Sequence, residues 1–567
     1  MFFSFMDFHK GLIRRKGAVM RQAGCISAVL LLIGSVSISG CDRVTGDNEN
    51  TANAKREPRV LHLTTVSEPP SLDSAVTIDG DSFNVLNNVK EGLMRLNQDN
   101  RPEPAMAAGM PEVSADKKTY VFQIRKARWS DGRAVKARDF EYAWKRALDP
   151  SLESDASYSL LPLKNAKAYR EGKASLDQVG VKAVGDRTLK VKLEEPTPYF
   201  LSLTASAAYL PQREDIVEKY GEQYAADEDK MVYNGPFVLS RWNRDQSFQY
   251  RKNDRYWDRN HVRLDRVHVK IVDDTTEAVH RYTSGRADVA PLSEDLIQAF
   301  KGSPEYVSVS RGATSLLIFN TEVDFLSNTK VRKALSLSID RKKLVEEVLQ
   351  NGSRPADGLV PDTILGYDQE PFREKASSEL EYREEKAVEL MEKGMEEMDF
   401  SSLPKLELNV SDDSQKKVAL FLQEEWKDHL GLEVAINPQP IEKKLELEGG
   451  GQFQLSLLRW IGRYNDPLSF LEMGHSENEA NFGGWKNSDF DTLIEQAKGN
   501  TDYQERSEDL VEAEKILTEK AGIAPLFYES QAYVQKPYVK HLYRFPIGAE
   551  YVLKWTDMEE KYKNSGG

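Results

Sequence analysis

At 567 residues the chain is too long for one hydrophobic core, since cores stop growing at about 250 to 300 residues, so two or more lobes are expected. With 40% hydrophobic and 30% charged residues, wholesale disorder is excluded. A formal net charge of −14, with no stripe of Lys and Arg interleaved with aromatics, argues against nucleic acid or an anionic lipid surface as partner.

In chain order, Lys10, Arg14, Arg15, Lys16 and Arg21 precede an apolar run from Cys25 to Ile38 that ends in Ile38-Ser39-Gly40-Cys41. That run is shorter than the ~20 residues that cross a bilayer, and small residues stand before Cys41. Residues 1–40 therefore read as a lipoprotein signal peptide, with Met1 and Met20 both usable as starts. Cleavage leaves Cys41 first, carrying acyl chains such as palmitate, each adding ~0.8 kcal/mol of membrane affinity per buried CH₂. Membrane contact is expected through this lipid only. The sole other thiol, Cys25, departs with the signal, so no disulfide is expected. Residues 41–58 are polar and aperiodic, a flexible tether, and folded structure is expected from about Arg59.

Beyond the tether, Tyr120, Phe122 and Ile124 alternate with polar neighbours, which predicts a strand, and Asp131-Gly132 predicts a turn. Asp139 is expected to cap a helix with Phe140, Ala143, Trp144, Ala147 and Leu148 on one face. Two further helices are predicted at Val331 to Leu337 and Leu344 to Leu349, the second capped by Asp340 and stopped at Gly352. A strand over 405–410, a helix opening at Ser414 with Val418, Leu422 and Trp426 on one face and ending at Gly431, and a strand through Val434 make a βαβ unit. The patterning is α/β throughout, and no repeat of 20 to 50 residues suggests a solenoid.

Motifs for catalysis are missing: no paired-histidine zinc helix, nucleophile elbow, phosphate-binding glycine loop or paired-cysteine redox motif occurs. His261 and His268 lie seven apart, whereas a helical metal pair prefers three or four. Adjacent acids such as Asp273-Asp274 and Asp412-Asp413 read as solvated turns. Neither enzymatic activity nor a cofactor or metal is expected.

One long stretch, Trp129-Ser-Asp-Gly-Arg-Ala-Val-Lys-Ala-Arg-Asp139-Phe-Glu-Tyr-Ala-Trp144-Lys-Arg-Ala-Leu-Asp149-Pro150, resembles the signature of extracellular solute-binding protein family 5. That family holds the oligopeptide-, dipeptide- and nickel-binding proteins of ABC importers. Glu68-Pro-Pro-Ser-Leu72-Asp73, Glu91-Gly92-Leu93, Asn234-Gly-Pro-Phe237, Lys252-Asn-Asp-Arg-Tyr256-Trp257, Phe325 to Ser336, Trp485 to Asp491 and Ile523 to Tyr528 extend the likeness over nearly the whole chain, most of all to the periplasmic oligopeptide-binding members. The resemblance implies a type II periplasmic-binding-protein-like fold, with two hinged lobes closing on ligand and a smaller inserted domain. It divides the chain into lobe I (59–80, 210–318 and 530–567), the insertion (81–209) and lobe II (319–529).

It also implies a ligand site. Peptide-binding members hold an extended peptide by its backbone, and a segment supplies a tryptophan and, three residues on, an aspartate for the peptide's amino group. Here that segment reads Leu458-Arg459-Trp460-Ile461-Gly462-Arg463-Tyr464-Asn465-Asp466-Pro467, with an arginine in the aspartate's place. Ligand contacts are expected from Arg459, Trp460, Gly462, Arg463, Tyr464 and Asp466, and, by weaker matches, from Glu68, Tyr158, Asn481 and Phe482. A guanidinium repels an ammonium group. Three readings stay open: Glu68 or Asp466 replaces the amine anchor, Arg463 faces solvent, or the ligand brings an anion to it.

The function so implied is a lipid-anchored receptor that delivers short peptides to the permease and ATPase subunits of an ABC importer. It would act as a monomer on the periplasmic face of the inner membrane, as Asp42 suggests, or on the surface of a Gram-positive cell. The alternatives are a binding protein of this fold for a metal chelate, a murein-like peptide or another anionic solute, and a peptide-holding chaperone or hydrolase.

Overall fold

The computed structural model describes residues 57–77, 79–152, 154–366, 370–376, 380–411, 415–558 and 561. The expected signal peptide, Cys41, Asp42, nearly all of the expected tether, Asp412-Asp413 and Ser414 lie outside the described residues. A compact unit begins at Arg59.

The chain enters a four-stranded sheet in which Val60–Thr65 runs parallel to Arg266–Ile271, followed by antiparallel Ser247–Lys252 and Phe237–Asn243. The period of two puts Leu61, Leu63, Val267 and Val269 on the buried face. Helix Gly80–Val89, capped by the Asp79 carboxylate accepting from the Ser82 N–H, adds Val85, Leu86 and Val89 to the same core.

Residues 93–209 carry a core of their own, built on Trp129, Phe122, Phe140, Trp144, Phe200 and Tyr209. Its antiparallel sheet runs in the order Glu112–Val113, Thr119–Gln123, Thr188–Lys192, Val181–Ala183. The predicted strand is present at Thr119–Gln123, and Gly132, at φ +95°, makes the predicted turn. The helix expected to start at Asp139 starts earlier, at Ala137, with Lys136 as its N-cap. Asp139 occupies the third helical position. Its carboxylate is held by the Lys136 N–H at 3.0 Å and the Trp129 indole N–H at 2.9 Å, so burying Trp129 draws the acid one turn inward from the cap.

A seven-stranded sheet orders Val289–Pro291, Ile523–Gln535, Tyr306–Phe319, Leu455–Ile461, Leu406–Ser411 and Val434–Gln439, with Arg354–Pro355 also paired to Ile523–Gln535. The βαβ unit is there: Leu406–Ser411 is parallel to Val434–Gln439 across helix Gln415–Leu430, which buries Val418, Leu422 and Trp426 and ends at Gly431, φ +67°. Helix Thr329–Leu337 packs tightly on Glu384–Glu397, because a Cβ at Gly394 would sit 2.7 Å from Val331 Cγ2. The Asp340 carboxylate caps the next helix through the Lys343 N–H, as predicted. That helix stops at Gln350, φ +51°, not at Gly352: Leu344–Leu349 is a π-turn, and the Gln350 N–H reaches back five residues to the Val345 carbonyl.

Tyr306–Phe319 and Ile523–Gln535 pair from Tyr306–Val534 to Ile318–Ile523, with a register shift between Ser310 and Thr314. The lobe divisions expected at 318/319 and 529/530 thus fall inside two continuous strands.

Candidate functional site

Three stretches far apart in sequence meet at Glu91. The side chain of Asn234 receives the Glu91 N–H at 3.1 Å and donates to its carbonyl at 2.8 Å, while Gly235 approaches so closely that a Cβ would lie 2.6 Å from the Val89 carbonyl carbon and the Lys90 nitrogen. The buried Glu91 carboxylate then accepts from Arg95 (2.9 Å), the Tyr256 hydroxyl (2.6 Å) and the Trp257 indole (2.6 Å). Arg95 also binds Glu103 at 2.7 Å. Close by, the Lys554 ammonium pairs with Asp258 at 2.5 Å and lies near the rings of Tyr256, Trp257 and Trp555. Burial, then the neighbouring Arg95, lowers the Lys554 ammonium.

Opposite this knot stands the turn that follows Leu455–Ile461. Ser469 shapes it: its carbonyl accepts the Trp460 indole N–H at 2.9 Å and its hydroxyl accepts the Arg463 backbone N–H at 2.6 Å. Gly462 is buried, with no room for a Cβ, which would meet Ile547 and Phe470 at 2.6 Å. Asp466 is clamped by Arg506 through two bonds of 2.7 and 3.0 Å, and the pair is buried. Tyr464 stacks on Tyr199 with ring centroids 4.2 Å apart, and burial lifts its phenol well above the ordinary value. Asn465 donates to the Asn100 carbonyl at 2.9 Å.

Between the knot and the turn lies a cleft of about 110 Å³, open to solvent. Arg463, Tyr464 and Asn465 form one wall. The others come from residues 83–96, 202–210 and 545–555, mostly apolar, with Lys90, Glu91, Arg95 and Lys554 among them. Lys90 is fully buried, and desolvation, opposed by Asp73 and reinforced by Arg146, brings its ammonium down to about 8. It donates to the Tyr224 hydroxyl at 3.1 Å and the Pro211 carbonyl at 3.4 Å.

Of the residues expected to contact ligand, Arg463 and Tyr464 line the cleft, while Trp460, Gly462 and Asp466 hold the turn that presents them. Arg459 pairs with Glu529 at 2.5 Å. Glu68 is some distance off in contacts, taken by the Trp242 indole (2.6 Å), the Asp245 N–H (3.0 Å) and Arg244 (3.2 Å). Tyr158 lies under Arg170, 5.4 Å from the ring centroid. Asn481 donates to the Trp485 and His475 carbonyls and, with Phe482, lines a separate small cavity beside Ile318 and Met473. Sequence reasoning passed over Lys90, Tyr199, Lys554 and Trp555. Lys90 stands next to the Glu91-Gly92-Leu93 motif, which was its one visible signal.

Residues 101–482 match the family model described as bacterial extracellular solute-binding proteins, family 5 Middle. The dipeptide-binding protein DppE of Bacillus subtilis is 36% identical over 529 residues, covering 92% of this chain and 97% of its own. Listeria monocytogenes OppA bound to peptide superposes with a TM-score of 0.71 at 33% identity, over 88% of this chain and 99% of that one. The murein tripeptide binding protein MppA in its unliganded open form gives 0.77 at 28% identity, over 88% and 97%. The fold is therefore that of the type II periplasmic-binding proteins, mixed α/β with curled sheets. The chain belongs to the bacterial extracellular solute-binding proteins, family 5.

Proposed function

We propose that this protein is a peptide receptor that holds short, extended peptides in the cleft beside Arg463 and Tyr464 and hands them to the permease of an ATP-driven importer. One observation carries this reading. Leu455–Ile461 is paired along its length with Tyr306–Phe319, but with Leu406–Ser411 only at Leu455 and Ser456. Among the described residues, the far edge of Leu457–Ile461 has no strand partner, and only the Gln415 amide reaches it, at the Leu457 carbonyl (3.3 Å). An extended peptide completes such an edge through backbone hydrogen bonds, which gives affinity with little regard to side chains. The names of the relatives, a dipeptide-binding protein and a peptide-bound OppA, support the same reading.

In this reading the protein carries out no reaction. Cys41 bears the lipid that keeps it at the membrane, and the register shift between Ser310 and Thr314 is the hinge about which the cleft closes. The test is native mass spectrometry of the purified protein lacking residues 1–41, before and after unfolding and refolding. Co-purified peptides of bounded length that vanish on refolding are expected. A site that arrives empty and rejects a randomised peptide mixture refutes the reading.

A further inference from the structure

The charges around the cleft are paired on one side of the ledger only. Glu91, on the cleft wall, is engaged by Arg95, Tyr256 and Trp257, and the two acids expected to replace the amine anchor are engaged as well, Asp466 by Arg506 and Glu68 by Trp242 and Arg244. Two of the cations are matched as well, Arg95 by Glu91 and Glu103, Lys554 by Asp258. Arg463 is different. It is exposed on the cleft wall, and among the described residues its guanidinium makes no hydrogen bond or ion pair. Burial raises the Glu472 carboxyl and the charge of Arg463 opposes that rise through space, but no hydrogen bond or ion pair joins the two among the described residues. Lys90, deep in the same cleft, donates to two neutral acceptors among the described residues, and Asp73 acts on its ammonium through space.

A ligand ending in an ammonium group would meet, on this wall, an exposed guanidinium that has no hydrogen-bonded or ion-paired partner among the described residues. A ligand ending in a carboxylate would meet a planar fork able to bind both its oxygens. We propose that the end of the ligand seated against Arg463 carries a carboxylate and not an ammonium group. This rests on the peptide reading and narrows its substrate class. Two sources supply the same chemistry: the peptide's own C-terminus, with the chain laid so that this end meets Arg463, or an acid group joined to the N-terminal end.

The experiment uses a randomised pentapeptide mixture in four forms: both ends free, N-acetyl with free C-terminus, N-acetyl with C-terminal amide, and N-succinyl with C-terminal amide. Retained peptides are identified by mass spectrometry and their Kd values measured by calorimetry, for the wild type, Arg463→Ala and Arg463→Gln. Because the Arg463 side chain packs against nothing that it binds, both variants are expected to keep the wild-type melting curve.

If the C-terminus is the source, acetylation is neutral and amidation weakens wild-type binding on the order of tenfold or more, the usual worth of a charge-assisted hydrogen bond. If an N-terminal acid is the source, the succinyl form binds at least about tenfold tighter than the acetylated amide. In either case the difference collapses in both variants. The proposal is overturned if carboxylate removal has the same effect with and without Arg463, or if the free amine is preferred by the wild type. If no form binds, peptide capture itself falls, an outcome distinct from peptides that bind with indifference to end charge.

Discussion

The two walls of the cleft treat charge in opposite ways. On the wall built from residues 83–96, 202–210 and 545–555, the buried Glu91 carboxylate is surrounded by donors, and Lys554 and Arg95 each face an acid. On the wall built by the 460–469 turn, the acid is buried and clamped three residues from an arginine that makes no hydrogen bond or ion pair among the described residues. The first arrangement spends its polar groups on holding the chain together. The second separates the two tasks along one turn, with Asp466 fixing the backbone and Arg463 left to whatever enters. A charge that has satisfied all its partners is scaffold, and one presented without partners is available to ligand.

Breaking the scaffold half should cost most. Arg506→Met strands a buried Asp466, and the expected loss of stability is about 3 to 5 kcal/mol, seen as a large drop in the thermal midpoint. Glu91→Gln replaces an anion with a neutral amide that must turn an NH₂ toward donors, for an expected loss of about 2 to 3 kcal/mol in urea unfolding. A result within 0.5 kcal/mol of wild type, on the order expected of an unconstrained surface change, would show that the knot is not scaffold. At the other extreme, Arg463→Ala should leave the urea midpoint within about 0.5 kcal/mol of wild type while changing ligand preference. A substantial destabilisation would erase the contrast between the walls.

Much of the architecture was legible because its signals are local. The βαβ unit from Leu406 to Gln439 follows from periodicity and Gly431, and the turn at Gly132 from its dipeptide. The motifs at 91–93, 234–237 and 252–257 were also visible, but as separate strings. Only folding reveals that Asn234 holds the Glu91 backbone while Tyr256 and Trp257 hold its carboxylate. The errors have one physical source. Asp139 was moved off the cap by Trp129, ten residues away, and the stop at Gln350 was set by a π-turn that hydrophobic spacing does not register. The partner of Asp466 lies 40 residues downstream and those of Glu68 174 to 177 residues away, so neither acid's commitment could be read from its neighbours in sequence. Arg463 stood out because it breaks a pattern, and its freedom became visible only once those acids were placed.

The paired strands Tyr306–Phe319 and Ile523–Gln535 also have a mechanical meaning. Their ladder is broken at 311–313, where Gly312 donates to the Pro546 carbonyl and has no space for a Cβ beside Ile547, and shifts register again between Ser315 and Leu316. A double-stranded ribbon resists stretching and sliding because each would break several hydrogen bonds at once, and it yields most readily where the ladder is already broken. The ribbon is thus weakest at its two interruptions, the wider of them at 311–313. Ile547, which abuts both Gly312 and Gly462, ties the interruption at 311–313 directly to the turn that carries Arg463.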